Sequence, residues 1–458
     1  KYWQILPLGP TSYGDSPYQS FSTYAGNPYF IDLNTLIEEG VLTKKECDLA
    51  DFGSDSRFID YGKLYKARYK LLRKAYERSN ISKNPEFQTF QEENAWWLDD
   101  YALFMAVKGF FQDECWDKWP EDIKKRYGYA LDYYREQLYF EIEFQKYMQF
   151  EFSIQWKKLK TYANENGIRI IGDIPIYVAY DSADTWAHPE LFQLDEENVP
   201  LAVAGCPPDG FAADGQLWGN PLYRWDYHRQ TGYAWWMQRL SYAFYLYDVV
   251  RIDHFRGFDE YFSIPYGDTT ARNGHWEKGP GIELFHRMKE VLGERDVIAE
   301  DLGYVTDSVR QMVFESGFPG MKVFEFAFDS RDTGCAGDYL PHNYPVNSVV
   351  YTGTHDNATL IGWYQDIPKE GREMLRDYIH DYTTSDRSLH WSVICRVMGS
   401  PARICMIPMQ DYLGLDNTCR INTPSTLGTN WKWRLLDGEF TSDLQNKIKK
   451  LVRIYQRN

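Results

Sequence analysis

No run of the 458-residue sequence is apolar for long enough to make a membrane-spanning helix. Cysteine is sparse. Cys47, Cys115, Cys206, Cys335, Cys395, Cys405 and Cys419 are odd in number and scattered, with no C-x-x-C spacing. That argues against a disulfide framework and a zinc knuckle, and fits a reducing, cytoplasmic setting. Positive charge is in deficit: 50 Lys and Arg against 66 Asp and Glu leave a net charge of −16. The basic face that a nucleic-acid binder needs is missing. There is no low-complexity tract and no internal repeat beyond an alternation of strands and helices.

Aromatic residues, by contrast, are plentiful, with 16 Trp, 36 Tyr and 26 Phe. They serve either core packing or the stacking of apolar sugar faces. The alternation is regular. Phe152, Trp156, Leu159 and Ala163 form a helical stripe before Gly167, and a strand over Ile168–Ile171 leads to Asp173. Tyr233–Leu246 reads as helix, and Asp248–Ile252 as a strand that ends at Asp253. A stripe of Leu284, Phe285, Met288 and Leu292 stops at Gly293, and Val297–Ala299 then leads to Glu300 and Asp301. Asp307 is placed to cap a helix that reaches Ser316. Strands are expected near Val323–Phe328, over Ser348–Thr352 before His355 and Asp356, and over Arg403–Met409 after a helix at Ser388–Met398.

Such alternation predicts a parallel sheet with right-handed crossovers, and polar residues at the strand C-termini are where (β/α)₈ barrels carry their chemistry. With Trp3–Leu8 the count is seven strands where a closed barrel needs eight. The expectation is a single catalytic barrel domain over 1–458 whose first strand and helix lie upstream of Lys1. Residues 35–150 read as a mostly helical insertion, with helices over Asp60–Ser79 and Glu121–Phe150. Residues 181–230, rich in Gly, Pro and Trp, read as a long loop that covers a substrate.

Asp173, Asp253 and Glu300 end consecutive candidate strands, and Asp356 follows two strands later. A pair of carboxyl groups about 5–5.5 Å apart is what cleavage of a glycosidic bond with retention requires. In a chain this acidic, strand-end carboxylates also arise as helix caps or solvated loop ends. The neighbours favour chemistry. Arg251 and Asp253 share a strand face, so the guanidinium can hold the carboxylate ionised. His254 and Arg256 follow, and His355 precedes Asp356.

VVRIDHFRGF, VIAEDLG and YTGTHDN resemble the three catalytic segments of α-amylase-related enzymes, and IIGDIPIYVAYDSADTW resembles their first shared segment. WQILPLGPTSYGDSPYQSFSTYAGNPYFIDL, PPDGFAADGQLWGNPLY and INTPSTLGTNWKWR are similar to signatures of the amylomaltases, or disproportionating enzymes, from Tyr2 to about Arg434. The resemblance implies a retaining transferase of α-1,4-glucans that needs no metal or organic cofactor. It implies that Asp253 is the nucleophile, Glu300 the acid and then the base, and Asp356 the group that distorts and steadies the reacting sugar. Tyr18, Asp173, Arg251, His254 and His355 are expected to line the reacting subsite. Gln216, Trp218, Phe211 and Asn430 are expected around it. One departure is Gly210, where many relatives carry a larger residue, which implies less stacking area at the loop tip. The alternatives are an α-glucan hydrolase with the same carboxylates, or a glucan-binding protein without catalysis.

Overall fold

The short apolar stretches that precede the candidate carboxylates line up side by side in one sheet. The computed structural model describes residues 1–208, 213–303, 305–328 and 336–457. The strands, in chain order, are β1 (Tyr2–Gln4), β2 (Arg169–Ile174), β3 (Ala202–Cys206), β4 (Gln216–Pro221), β5 (Val249–Ile252), β6 (Glu260–Pro265), β7 (His275–Lys278), β8 (Val297–Ala299), β9 (Gly320–Val323), β10 (Ser348–Tyr351) and β11 (Ile404–Met406). Seven of them form a parallel sheet in the order β1-β2-β5-β8-β9-β10-β11. Each pair in register follows its neighbour in sequence, with helices such as Ala234–Leu246 and Glu283–Leu292 running between them. This is the architecture of a (β/α)₈ barrel, represented here by seven strands, with β1 and β11 at the two ends of the sheet.

The period of two in each strand sorts its residues. Ile171, Val249, Ile298, Met321 and Val349 pack together on one side of the sheet. Ile170, Val250 and Val297 face the opposite way, into the large core shared with the helices. Asp173 keeps the parity of Ile171, and Arg251 and Asp253 keep that of Val249, so all three point with the first group. Tyr351 of this group sends its hydroxyl to Oε1 of Gln4 at 2.8 Å, joining β10 to β1. Gly172 faces outward, where an added Cβ would lie 2.1 Å from the Tyr247 ring. Gly172→Ala should therefore destabilise the protein by about 1–3 kcal/mol through overpacking. An unchanged midpoint in thermal unfolding would show that Tyr247 swings aside freely.

Several local expectations are corrected. The strand expected near Val323–Phe328 lies earlier, at Gly320–Val323, and Phe324–Ala327 is a 3-10 turn. Phe324 and Phe328 meet with their rings tilted and 5.1 Å apart in one buried cluster, a helical rather than an alternating spacing. Thr306, not Asp307, caps the helix Asp307–Ser316, accepting from the N–H of Val309 at 3.3 Å. Asp307 instead puts its charge in the first turn, where the helix dipole favours it. The continuous helix expected over Glu121–Phe150 is broken into Glu121–Lys124, Gly128–Gln137 and Tyr139–Glu165, with Arg126 at φ 56° in the first break. Within 181–230, β3 and β4 join β6 and β7 in an antiparallel sheet of order β4-β3-β6-β7. Strands this short, with Gly205 and Gly219 inside them, give too little alternation to be read from sequence. Among the described residues no helix is long and apolar enough to cross a membrane.

Candidate active site

Asp173 and Arg251 are register partners on β2 and β5. The guanidinium donates to Asp173 Oδ2 at 2.6 Å and to Asp253 Oδ1 at 3.0 Å. Arg251 is 3 % exposed. A buried cation of this kind persists only when paired, and here two carboxylates pair it. Tyr18, on the loop after β1, extends the chain by donating to Asp173 Oδ2 at 2.7 Å.

The backbone then turns sharply. His254 has φ 50°, a conformation that costs a side-chain-bearing residue energy. The turn aims its N–H at Glu300 Oε2, 2.6 Å away, while the N–H of Phe255 reaches the Glu300 carbonyl at 3.0 Å. The Leu302 N–H supports the other oxygen, Oε1, at 3.2 Å. The residue that follows Asp253 is thus bonded directly to the carboxyl of Glu300. The two acids stand at the ends of adjacent strands.

Asp356 closes the site from beyond β10. The Asn422 amide donates to its Oδ1 at 2.6 Å, and His355 Nε2 lies 3.4 Å from its Oδ2. Arg420 grips the strap that carries Asn422, donating to the Asp356 carbonyl and, from Nε, to the Asn422 carbonyl at 2.6 Å. The His355 ring stacks on Tyr18 at 5.0 Å, so the two halves of the site meet there. Trp218, on β4, sets its ring edge-on to His254 at 4.8 Å and donates to Gln216 Oε1 at 3.0 Å.

The structure therefore brings Tyr18, Asp173, Arg251, Asp253, His254, Glu300, His355, Asp356, Gln216 and Trp218 together in one cluster of side chains. Asn430 stands apart. Its amide is spent inside its own turn, accepting from the Thr423 N–H at 3.0 Å and donating to the Thr426 carbonyl at 2.8 Å. Asn430 shapes the strap, and Asn422 is the side chain that reaches the carboxylate. Asn422, Arg420 and Trp431, whose ring lies 5.8 Å from that of His355, are site residues that sequence reasoning missed. The segment INTPSTLGTNWKWR holds two asparagines, and only the fold of its turn tells them apart. Phe211 and Gly210 lie outside the described residues.

Charge follows from this geometry. Burial pushes the Glu300 carboxyl up to about 8; the Asp253 charge adds to this, and Arg251 and the His254 N–H oppose it. Burial also raises Asp253, to about 6, with Arg251 opposing. Burial works against the charge on Asp356, but His355 and Asn422 outweigh it and hold that carboxyl well below the usual range. Burial, helped by Arg256, drives His254 down to about 3, so its imidazole is neutral. At neutral pH one acid of the pair carries a proton and the other does not, which is the division of labour that acid catalysis with a nucleophile needs.

The profile of the family described as 4-alpha-glucanotransferase matches residues 1–439. A 4-alpha-glucanotransferase of Clostridium butyricum is 49% identical over 459 residues, covering 100% of this chain and 93% of that one. One from Thermus thermophilus is 46% identical, covering 100% and 92%. The structure of an amylomaltase from Streptococcus agalactiae in complex with acarbose superposes with a TM-score of 0.95 at 40% identity, covering 100% of this chain and 92% of that one.

Proposed function

The chain belongs to the 4-alpha-glucanotransferase family, and from that membership and the paired carboxyls we propose that Asp253 is its nucleophile and Glu300 its acid and base. The enzyme transfers α-1,4-glucan segments from one maltodextrin to the 4-OH of another glucan or of glucose. In the first half-reaction an Asp253 oxygen bonds to the anomeric carbon. The bond from that carbon to the leaving oxygen breaks, and the oxygen takes the Glu300 proton. In the second half an acceptor 4-OH gives its proton to Glu300, its oxygen bonds to the same carbon, and the ester breaks. The observation that carries these roles is the bond from the His254 N–H to Glu300, which ties the residue beside one carboxyl to the other.

Arg251 keeps Asp253 ionised for attack. Asp356, held charged by His355 and Asn422, faces the sugar hydroxyls and the positive charge that develops at the ring. Tyr18, Asp173, His254 and His355 line the reacting subsite, with two buried atoms, Asp173 Oδ1 and His254 Nε2, left without a partner among the described residues. Gln216 and Trp218 extend the wall, and we take residues 181–230 to cover the bound glucan and limit its contact with water. The partners are α-1,4-glucans and malto-oligosaccharides. The acarbose in the Streptococcus agalactiae amylomaltase supports an oligosaccharide cleft here. The unpaired cysteines of the described residues fit work in the cytoplasm.

Incubation with maltotriose tests the reading. Glucose and a ladder of longer maltodextrins should form with little net gain in reducing ends. A steady rise in reducing ends without longer products would make the protein a hydrolase, and no change would make it a binder.

The pair also fixes a pH profile. Asp253 must be ionised, so activity should fall as pH drops through about 6. Glu300 must carry its proton, so activity should fall as pH rises through about 8. A bell in kcat/KM between these limits is expected, and a flat profile up to about pH 10 would remove Glu300 from the role of acid.

A further inference from the structure

Three helices on the outside of the barrel, Pro85–Phe110, Tyr139–Glu165 and Ala234–Leu246, leave a crevice between them that none of the catalytic carboxyls lines. Its volume is about 290 Å³, at the lower edge of small-ligand pockets (about 300–1,000 Å³). One wall is aromatic: Phe90, Trp156 and Tyr242 are half-buried and Tyr245 is 57% exposed. These rings border a void rather than one another's full surface, and so forgo packing they could have had. They are also held in place. The Trp156 N–H is tied to the Leu246 carbonyl at 3.1 Å, and Tyr242 is wedged edge-on against Trp97 at 5.9 Å.

The other wall is polar and regular. Ser153, Lys157 and Thr161 follow at intervals of four along Tyr139–Glu165, which stacks them along one helix face. Among the described residues, the hydrogen bonds and ion pairs include none from these three side chains. Lys160, beside them, is engaged, donating to the Tyr245 carbonyl at 2.8 Å and lying 3.7 Å from Asp248.

We propose that this crevice is a second binding site for an α-1,4-glucan, separate from the catalytic cleft. A pyranose has an apolar face for the aromatic wall and a rim of hydroxyls for the ladder of donors and acceptors opposite. A purely apolar ligand would leave that ladder unpaired. Among the described residues of the lining, a polyanion would find one free ammonium, and a metal would find no carboxylate. The choice of glucan rests on the function proposed above. A glucan long enough to reach both sites would be retained near the cleft by effective concentration, whereas maltotriose would gain nothing.

The test uses the full chain and two variants, Tyr245→Ala with Lys157→Ala to strip the walls, and Ser153→Trp to fill the crevice. The readouts are retardation in an amylose-containing native gel, KM for amylose, and turnover of maltotriose. Both variants should be retarded less than the parent and show KM for amylose raised about fivefold, the scale of one lost aromatic contact, with maltotriose turnover within about twofold of the parent. Unchanged retardation in both would overturn the site. A parallel fall in maltotriose turnover would overturn it as well, making the crevice a matter of folding. Failure of the parent to disproportionate maltotriose would instead sink the functional reading, so the two failures are distinguishable.

Discussion

Asp253→Asn should lower maltodextrin transfer by at least about four orders of magnitude, since it deletes the atom that forms the covalent ester. The substitution is nearly isosteric. The amide that replaces the carboxylate keeps an oxygen for Arg251, and Arg251 keeps its 2.6 Å bond to Asp173, so the fold should survive. The charge does not survive, and an amide oxygen is a poor nucleophile. Loss of that charge also removes one of the influences that raise Glu300, so the Glu300 carboxyl should titrate lower in the variant. Glucan binding should persist, because Asp356, His355 and Tyr18 are untouched. Turnover within about tenfold of the parent, from a preparation free of the original enzyme, would transfer the nucleophilic role to another carboxylate.

Glu300→Gln should cost about three to four orders of magnitude on ordinary maltodextrins, whose leaving oxygen needs a proton. The loss should shrink sharply on an α-maltosyl fluoride, because fluoride leaves with little help. Asp253 can then form the ester unaided, and the ester should accumulate, since no base remains to activate the acceptor 4-OH. Azide, which needs no base, should restore the second step. Mass spectrometry of the trapped protein would show the added sugar on Asp253. An equal loss on fluoride and maltodextrin donors would mean that Glu300 positions the sugar rather than moving a proton.

These residues were legible because they obey simple rules. Asp173, Arg251, Asp253 and Glu300 sit at or just past the ends of short buried strands, and parity decides which way each side chain points. Arg251 and Asp253, two residues apart, had to share a face. The missed features depend on something a local pattern does not encode. Asn422 and Asn430 are eight residues apart in a turn without periodicity, and only the closure of that turn sends one to Asp356 and folds the other inward. The 3-10 turn after β9 exists because Phe324 and Phe328 find the same distant cluster, so its apolar run looks like a strand in isolation. The break near Arg126 rests on a left-handed residue that is not glycine, which composition does not flag.

The strap bearing Asn422 is fastened from far away in sequence. The Tyr61 hydroxyl holds the Trp431 carbonyl at 2.6 Å, the Ile59 N–H meets the Lys432 carbonyl at 2.9 Å, and Arg57 forks onto Glu439 at 2.5 and 2.8 Å. Seen from the ribosome, this orders the birth of activity. Asp253, Glu300 and Asp356 leave the exit tunnel before the residues that brace Asp356 and complete the subsite. At about 5–20 residues per second, the interval between Asp356 and Glu439 lasts several seconds or more. During that time the nascent chain carries its full set of acids and no finished cleft, so a chain that stalls there should leave glucans uncut.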